Sequence, residues 1–85
     1  MRLIILIPAY NEEGTIANVL DAIPPSFPGV DQVITLVVDD GSSDHTAQTA
    51  REAGAIVICH GRNRGVGCAF TTGLSKALEM GADIM

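Results

Sequence analysis

Two stretches of this chain, residues 3–7 and 33–38, are almost continuously apolar, and each runs directly into an acidic turn. The first turn is Pro8-Ala9-Tyr10-Asn11-Glu12-Glu13 and the second Asp39-Asp40-Gly41-Ser42-Ser43-Asp44. Short runs that are apolar position after position, rather than at every second position, mark strands buried on both faces. Such strands belong to parallel sheets covered by helices. If the two strands lie side by side, their turns meet in one polar crevice. It would lie at the carboxyl ends of the strands, where open α/β sheets bind ligands.

The segments between the runs support this reading. A first helix is predicted over 12–22, with Asn11 as N-cap and Glu12 and Glu13 at the positive end of the helix dipole. Ile16, Val19, Leu20 and Ile23 would form its buried face, and Pro24-Pro25 would stop it. A second helix is predicted over 45–53, capped by Asp44, with Ala47 and Ala50 as a thin packing face and Gly54 closing it. A third strand follows at 55–59. After the loop 60–67, a third helix is expected over 68–80, packing through Phe70, Leu74, Ala77 and Leu78. Residues 82–85 read as the start of a fourth strand. Alternating strands and helices predict one α/β domain with a parallel sheet and right-handed crossovers. A sheet this narrow would leave long edges open. The chain is therefore expected to be the N-terminal part of a longer protein, poorly stable or self-associating alone.

Composition excludes several classes. With 47% hydrophobic and 18% charged residues the chain is globular rather than disordered. A net charge of -5 and a pI near 4.6 exclude a nucleic-acid-binding surface, which needs a basic stripe, but permit a nucleotide ligand. The apolar start is too short for a signal peptide or a membrane span, which fits a cytoplasmic, reducing location. Cys59 and Cys68 make no disulfide framework and are expected to be small buried apolar groups. With His45 and His60 they show no zinc-ligand spacing.

The turns carry the chemistry. Tyr10 offers a ring for stacking on a base and a hydroxyl for hydrogen bonding. Pro8 and Ala9 hold the backbone extended as it leaves the sheet, and Glu12 can accept from a ribose hydroxyl or a base amine. Adjacent acids after a buried strand are costly unless partnered. Asp39 and Asp40 point to opposite sides, so one can face the crevice while the other ties down backbone donors. The third loop, Gly61-Arg62-Asn63-Arg64-Gly65-Val66-Gly67, holds the chain's basic cluster and lets backbone approach a phosphate. No Gly-Lys-Ser/Thr phosphate loop is present, and the first strand is not followed by a dinucleotide fingerprint.

Taken together, Ile-Pro-Ala-Tyr-Asn-Glu-Glu, Val-Val-Asp-Asp-Gly-Ser-Ser-Asp and Asn-Arg-Gly-Val-Gly-Cys-Ala resemble the family 2 glycosyltransferases. The order and spacing are similar to the first part of their Rossmann-like nucleotide-sugar-binding domain, the GT-A fold. Within the family the look is that of the dolichyl-phosphate mannosyltransferase-like branch, which includes polyprenyl-phosphate sugar transferases. The resemblance implies transfer of a sugar from a nucleoside diphosphate sugar to an acceptor, a polyprenyl phosphate in that branch. It also implies work at the cytoplasmic face of a membrane through regions absent from this sequence. It places the donor against Pro8, Tyr10, Glu12, Val38 and Asp40, with Ala9, Asp39, Arg64 and Gly65 in supporting positions.

The family's Asp-X-Asp motif, which binds a divalent Mg or Mn ion, follows the fourth strand and would lie beyond Met85. Asp83 stands at the start of that strand and is not that motif. No catalytic residue or metal ligand is therefore expected in this segment, and the 85 residues alone are expected to be inactive. The alternative is a non-catalytic or degenerate nucleotide-binding domain. A sugar nucleotidyltransferase, which would carry a glycine- and arginine-rich loop after the first strand, is contradicted by Pro8 to Glu13.

Overall fold

The computed structural model describes residues 1–24 and 26–82. Three strands, β1 (Arg2–Ala9), β2 (Gln32–Asp39) and β3 (Ile56–Cys59), form one parallel sheet in the order β1-β2-β3. The strands are joined by α1 (Ile16–Asp21) and α2 (Thr46–Glu52), and α3 (Val66–Glu79) follows β3. The register is fixed by rows of apolar side chains: Ile7 pairs with Val37, which pairs with Val57, and Pro8 with Val38, which pairs with Ile58.

Strand alternation sends these rows to opposite faces. On one face Ala9 and Val37 pack with Ile16 and Leu20 of α1 and Ala50 of α2. On the other, Ile4 and Leu36 pack with Ala77 of α3. Both strands are thus covered on both sides, which is why their sequences are apolar at nearly every position. Burying each such Ile or Leu stabilises the fold by about 1.5–3 kcal/mol.

The placement of α3 creates the site. The first two crossovers carry the chain from β1 to β2 to β3 with their helices on one face. After β3 the chain changes face, and α3 runs back over β1 and β2. The carboxyl end of β1, beneath the start of α3, is therefore the point where the winding reverses, the place where sheets of this kind form crevices. At its other end α3 is tied to the start of β1. The Arg2 guanidinium donates to the Met80 carbonyl, and Arg2 Nε donates to Gln32 Oε1 at 2.9 Å.

Several local expectations are corrected. Helix α1 starts at Ile16 with Thr15 as N-cap, not at Glu12, and it ends at Asp21, ahead of Pro24. Asn11 is not its cap. It sits in a turn with φ of 52°, and its side chain serves the neighbouring loop. Val19 is exposed rather than core. Helix α2 begins at Thr46 with His45 as N-cap. Asp44 does accept the Thr46 amide, at 3.0 Å, so it still anchors this turn.

Helix α3 starts at Val66, before the expected 68, and buries Ala69, Gly73 and Ala77 rather than its large residues. Phe70, Leu74 and Leu78 are exposed. Small residues at four-residue spacing let the helix lie close on the sheet, and a Cβ built at Gly73 would stand 2.1 Å from Leu6 Cδ1. Cys59 and Cys68 are both exposed, not buried: each lies at an element end or on the solvent side of a helix. The expected fourth strand at 82–85 falls, after Ala82, outside the described residues.

Candidate functional site

Each strand ends at the same level. Ala9 pairs with Asp39, and Asp39 pairs with Cys59. The ladder continues one step, because the Asp40 amide donates to the Ala9 carbonyl and the His60 amide to the Asp39 carbonyl, each at 2.8 Å. Strand alternation therefore places Tyr10, Asp40 and His60 in one row on the α3 face. Asp39, one residue earlier, belongs to the opposite face.

The turns after β1 and β2 are laced together. Asn11 N–H donates to Ser42 Oγ at 2.8 Å, Glu12 N–H to Thr46 Oγ1 at 2.9 Å and Glu13 N–H to Asp44 Oδ2 at 3.3 Å. In return the Ser43 amide donates to Asn11 Oδ1 at 2.9 Å and the His45 amide to Glu13 Oε1 at 3.1 Å. Many of the small polar residues that read as caps are thus cross-braces between two loops. Thr46, fully buried, also donates its hydroxyl to Asp44.

Both members of the acidic pair are buried and accept hydrogen bonds. Asp39 Oδ1 accepts the Ser42 amide at 3.2 Å and the Ser42 hydroxyl. Asp40 Oδ1 accepts from His60 Nδ1 at 2.8 Å and from the Arg64 amide at 2.9 Å, while Oδ2 accepts the Gly65 amide at 2.9 Å. Both acids thus tie down backbone donors, where one alone was expected to do so. The His60 N–H and then the Arg64 amide hold the Asp40 carboxyl below the usual carboxylate range. The Gly65 amide adds to this, and burial opposes it. His60 is itself locked, with Nε2 2.9 Å from Thr72 Oγ1 of α3. Gly41 makes the close approach of the third loop sterically feasible. Its φ is +75°, and a Cβ there would lie 2.3 Å from the backbone carbon of Arg62.

A cavity of about 200 Å³ opens on the α3 side of β1, lined by Pro8, Ala9, Tyr10, Asp40, Asn63, Gly65, Val66 and Ala69. A second concavity lies on the α1 side of the same strand end and includes Pro8, Ala9, Glu12, Thr15 and Val19. The expected site residues divide between them. Tyr10, Asp40 and Gly65 face the first, Glu12 the second, and Pro8 and Ala9 form the partition. Glu12 is held by the Thr15 hydroxyl at 2.7 Å. Val38 is fully buried under this floor, and neither concavity includes it. Asp39 lies on the other face. Arg64 contributes its amide to Asp40, while its side chain is exposed.

Asn63, Val66, Ala69 and the Asp40 partners His60 and Thr72 were not among the expected site residues. A usable signal existed for His60. It is the first residue after β3, as Asp40 is after β2, so strands ending level must set them side by side. Among the described residues no group of three or more His, Cys, Asp or Glu side chains could hold a metal ion.

Comparison with known proteins places this architecture. The profile of the family described as glycosyl transferase family 2 matches residues 4–79. The chain belongs to that family. It is 39% identical over 97 residues to the UDP-N-acetylglucosamine–dolichyl-phosphate N-acetylglucosaminyltransferase of Methanococcus voltae, covering 94% of this chain and 37% of that protein. It is 35% identical over 80 residues to the undecaprenyl-phosphate 4-deoxy-4-formamido-L-arabinose transferase of Proteus mirabilis, covering 86% and 24%. The solved structure of glucosyl-3-phosphoglycerate synthase from Mycobacterium tuberculosis in complex with UDP superposes with a TM-score of 0.72 at 34% identity, covering 88% of this chain and 29% of that one. This chain therefore spans 37% or less of the length of each of these three relatives. The fold is that of the N-terminal part of a GT-A domain, as the sequence motifs implied.

Proposed function

We propose that this chain forms the nucleotide-binding half of a glycosyltransferase that moves a sugar from a nucleoside diphosphate sugar to an acceptor, with a polyprenyl phosphate as the acceptor. The observation that carries the reading is the cavity at the reversal point of the sheet, with Tyr10 on its wall and the ionised Asp40 at its base. Tyr10, at 47% exposure, leaves a ring face free for a base. Asp40 has three of its roughly four acceptor positions filled by protein donors. The remaining one can accept a ring N–H from a base. Membership of the family and the dolichyl- and undecaprenyl-phosphate transferases among its relatives support the donor and acceptor classes.

Among the solved structures of the Mycobacterium tuberculosis synthase, one holds Mn2+ with UDP-glucose and phosphoglyceric acid and another Mg2+ with UDP. We assign a divalent metal to the whole protein, where it would offset charge on the departing diphosphate. The described residues offer no ligand set for it, so their part is to bind and orient the nucleoside. A lipid-phosphate acceptor places the whole protein at a membrane surface; among the described residues no helix is long and apolar enough to cross one.

The test is calorimetric titration of UDP into the chain and into Tyr10→Ala. Binding by the parent, weakened roughly fivefold to a hundredfold by loss of the ring, is the expected result. Unchanged affinity in Tyr10→Ala would remove the cavity from the nucleotide site.

A further inference from the structure

His60 is a buried titratable side chain to which neither the family motifs nor the proposed function assigns a role. Its side chain is 5% exposed, and it touches the two parts of the molecule that define the cavity. Nδ1 lies 2.8 Å from Asp40 Oδ1, at the end of β2, and Nε2 lies 2.9 Å from Thr72 Oγ1, on α3. An ionised carboxylate only accepts, so Nδ1 must carry the proton. The Thr72 hydroxyl can serve Nε2 as donor or acceptor. The ring is thereby held at both ends and cannot flip without breaking a bond to Asp40.

The consequence falls on Asp40. Its Oδ1 is occupied by His60 and the Arg64 amide, while Oδ2 has one protein partner, the Gly65 amide. The Arg64 and Gly65 amides belong to one loop, beside Asn63, whose side chain accepts from the same Gly65 amide at 3.1 Å. Because these bonds join loop and carboxylate, any shift of the loop would rotate the carboxylate with it. The ring of His60, anchored on α3, opposes that rotation.

We propose that His60 is a positioning residue for nucleotide binding. Held by Thr72, it fixes the rotation of the Asp40 carboxylate so that Oδ2 keeps an acceptor position open to the cavity. The inference rests on the proposed nucleotide site and adds to it a dependence on a residue that does not line the cavity. It differs from a packing role in a specific way. The donor at the Nδ1 position matters more than ring volume, and the ring should sense nucleotide bound on the far side of Asp40.

The experiment is calorimetric titration of UDP into the full chain and into His60→Asn, His60→Gln and Thr72→Val, with thermal melts of all four. Asparagine presents an amide N–H near the Nδ1 position, whereas glutamine presents its own near Nε2. His60→Asn should bind within roughly threefold of the parent, while His60→Gln should lose roughly tenfold or more. Thr72→Val, which keeps Nδ1 and frees the ring, should fall between them. Equal affinities in the parent and His60→Gln, or losses that simply follow melting temperature across the set, would overturn the proposal.

The parent chain gives a second measurement that needs no variant. The His60 Nδ1 nitrogen resonance should move on saturation with UDP and stay fixed with added inorganic phosphate alone. A resonance unmoved by bound UDP would also overturn it. Failure of the parent to bind UDP would instead overturn the nucleotide site itself, and His60's role with it.

Discussion

Gly41→Ala tests whether the site depends on one close backbone crossing. Gly41 has φ of +75°, and an added Cβ would meet the Arg62 carbon at 2.3 Å and the Asn63 nitrogen at 2.4 Å. Both are main-chain atoms and cannot swing aside as a side chain can. Gly54 provides a natural control, since its φ is +96° and a Cβ added there would meet nothing within 4 Å. Alanine in a left-handed conformation costs about 1–2 kcal/mol, and Gly54→Ala should show that alone. Gly41→Ala carries the same conformational cost, plus about 1–3 kcal/mol for forcing an atom into occupied space. The expected losses are thus about 1–2 kcal/mol at Gly54 and about 2–5 kcal/mol at Gly41. Urea denaturation followed by circular dichroism gives both numbers. UDP titration should then show weakened binding for Gly41→Ala only, because the displaced segment carries the amides of Arg64 and Gly65. Equal destabilisation by the two substitutions would refute the claim that the loops are in enforced contact.

Three further outcomes are expected. Gly73→Ala should change stability by no more than about 1 kcal/mol, because the gain in helix propensity offsets a shift of the flexible Leu6 end. Gly73→Leu, which must lift α3 from the sheet, should cost more than about 2 kcal/mol, as urea denaturation would show. Asp40 and Asp44 both hold their protons less tightly when folded. His60 and the loop amides lower Asp40, and chiefly the Thr46 hydroxyl lowers Asp44. Their stabilisation is complete above the ordinary value of 3.8 and is lost as pH falls through it to the lower folded values. The urea midpoint should therefore drop between pH 6 and about pH 3, and a midpoint that rises would contradict the assignment. Finally, Cys59 and Cys68, both exposed, should react with a thiol reagent without denaturant; protection of either thiol would contradict its placement.

The strands, and the cavity at their carboxyl ends, are legible in the sequence because burial on both faces leaves a continuous signal. The runs at 3–7 and 33–38 can be little else. Helix boundaries are less legible, since residues that read as caps are engaged elsewhere. Asn11, Ser42, Ser43, Asp44 and Thr46 are all residues that favour helix N-termini. Here they bond across two loops far apart in the chain, and no local rule distinguishes the two uses. The buried face of α3 is hidden for a related reason. Periodicity favours large apolar residues as core, but a helix lying close on a sheet buries Ala69, Gly73 and Ala77 and leaves Phe70, Leu74 and Leu78 at the flank.

The site shows where motif and geometry part. Tyr10, Asp40 and Gly65 stand out by type and position, and the fold brings them into one cavity. Val38, implied with them by the family resemblance, is two residues before Asp40 on the same face but is fully buried and lines neither concavity. Asp40 also has more partners than a base-reading role alone requires. Exchanging it for asparagine would set an amide N–H against the Gly65 or Arg64 N–H as well as against a base. Loss of affinity in Asp40→Asn would therefore mix two causes. The amide-bearing substitutions at His60 leave the carboxylate intact and alter only its support, so they separate what Asp40 contacts from what holds it in place.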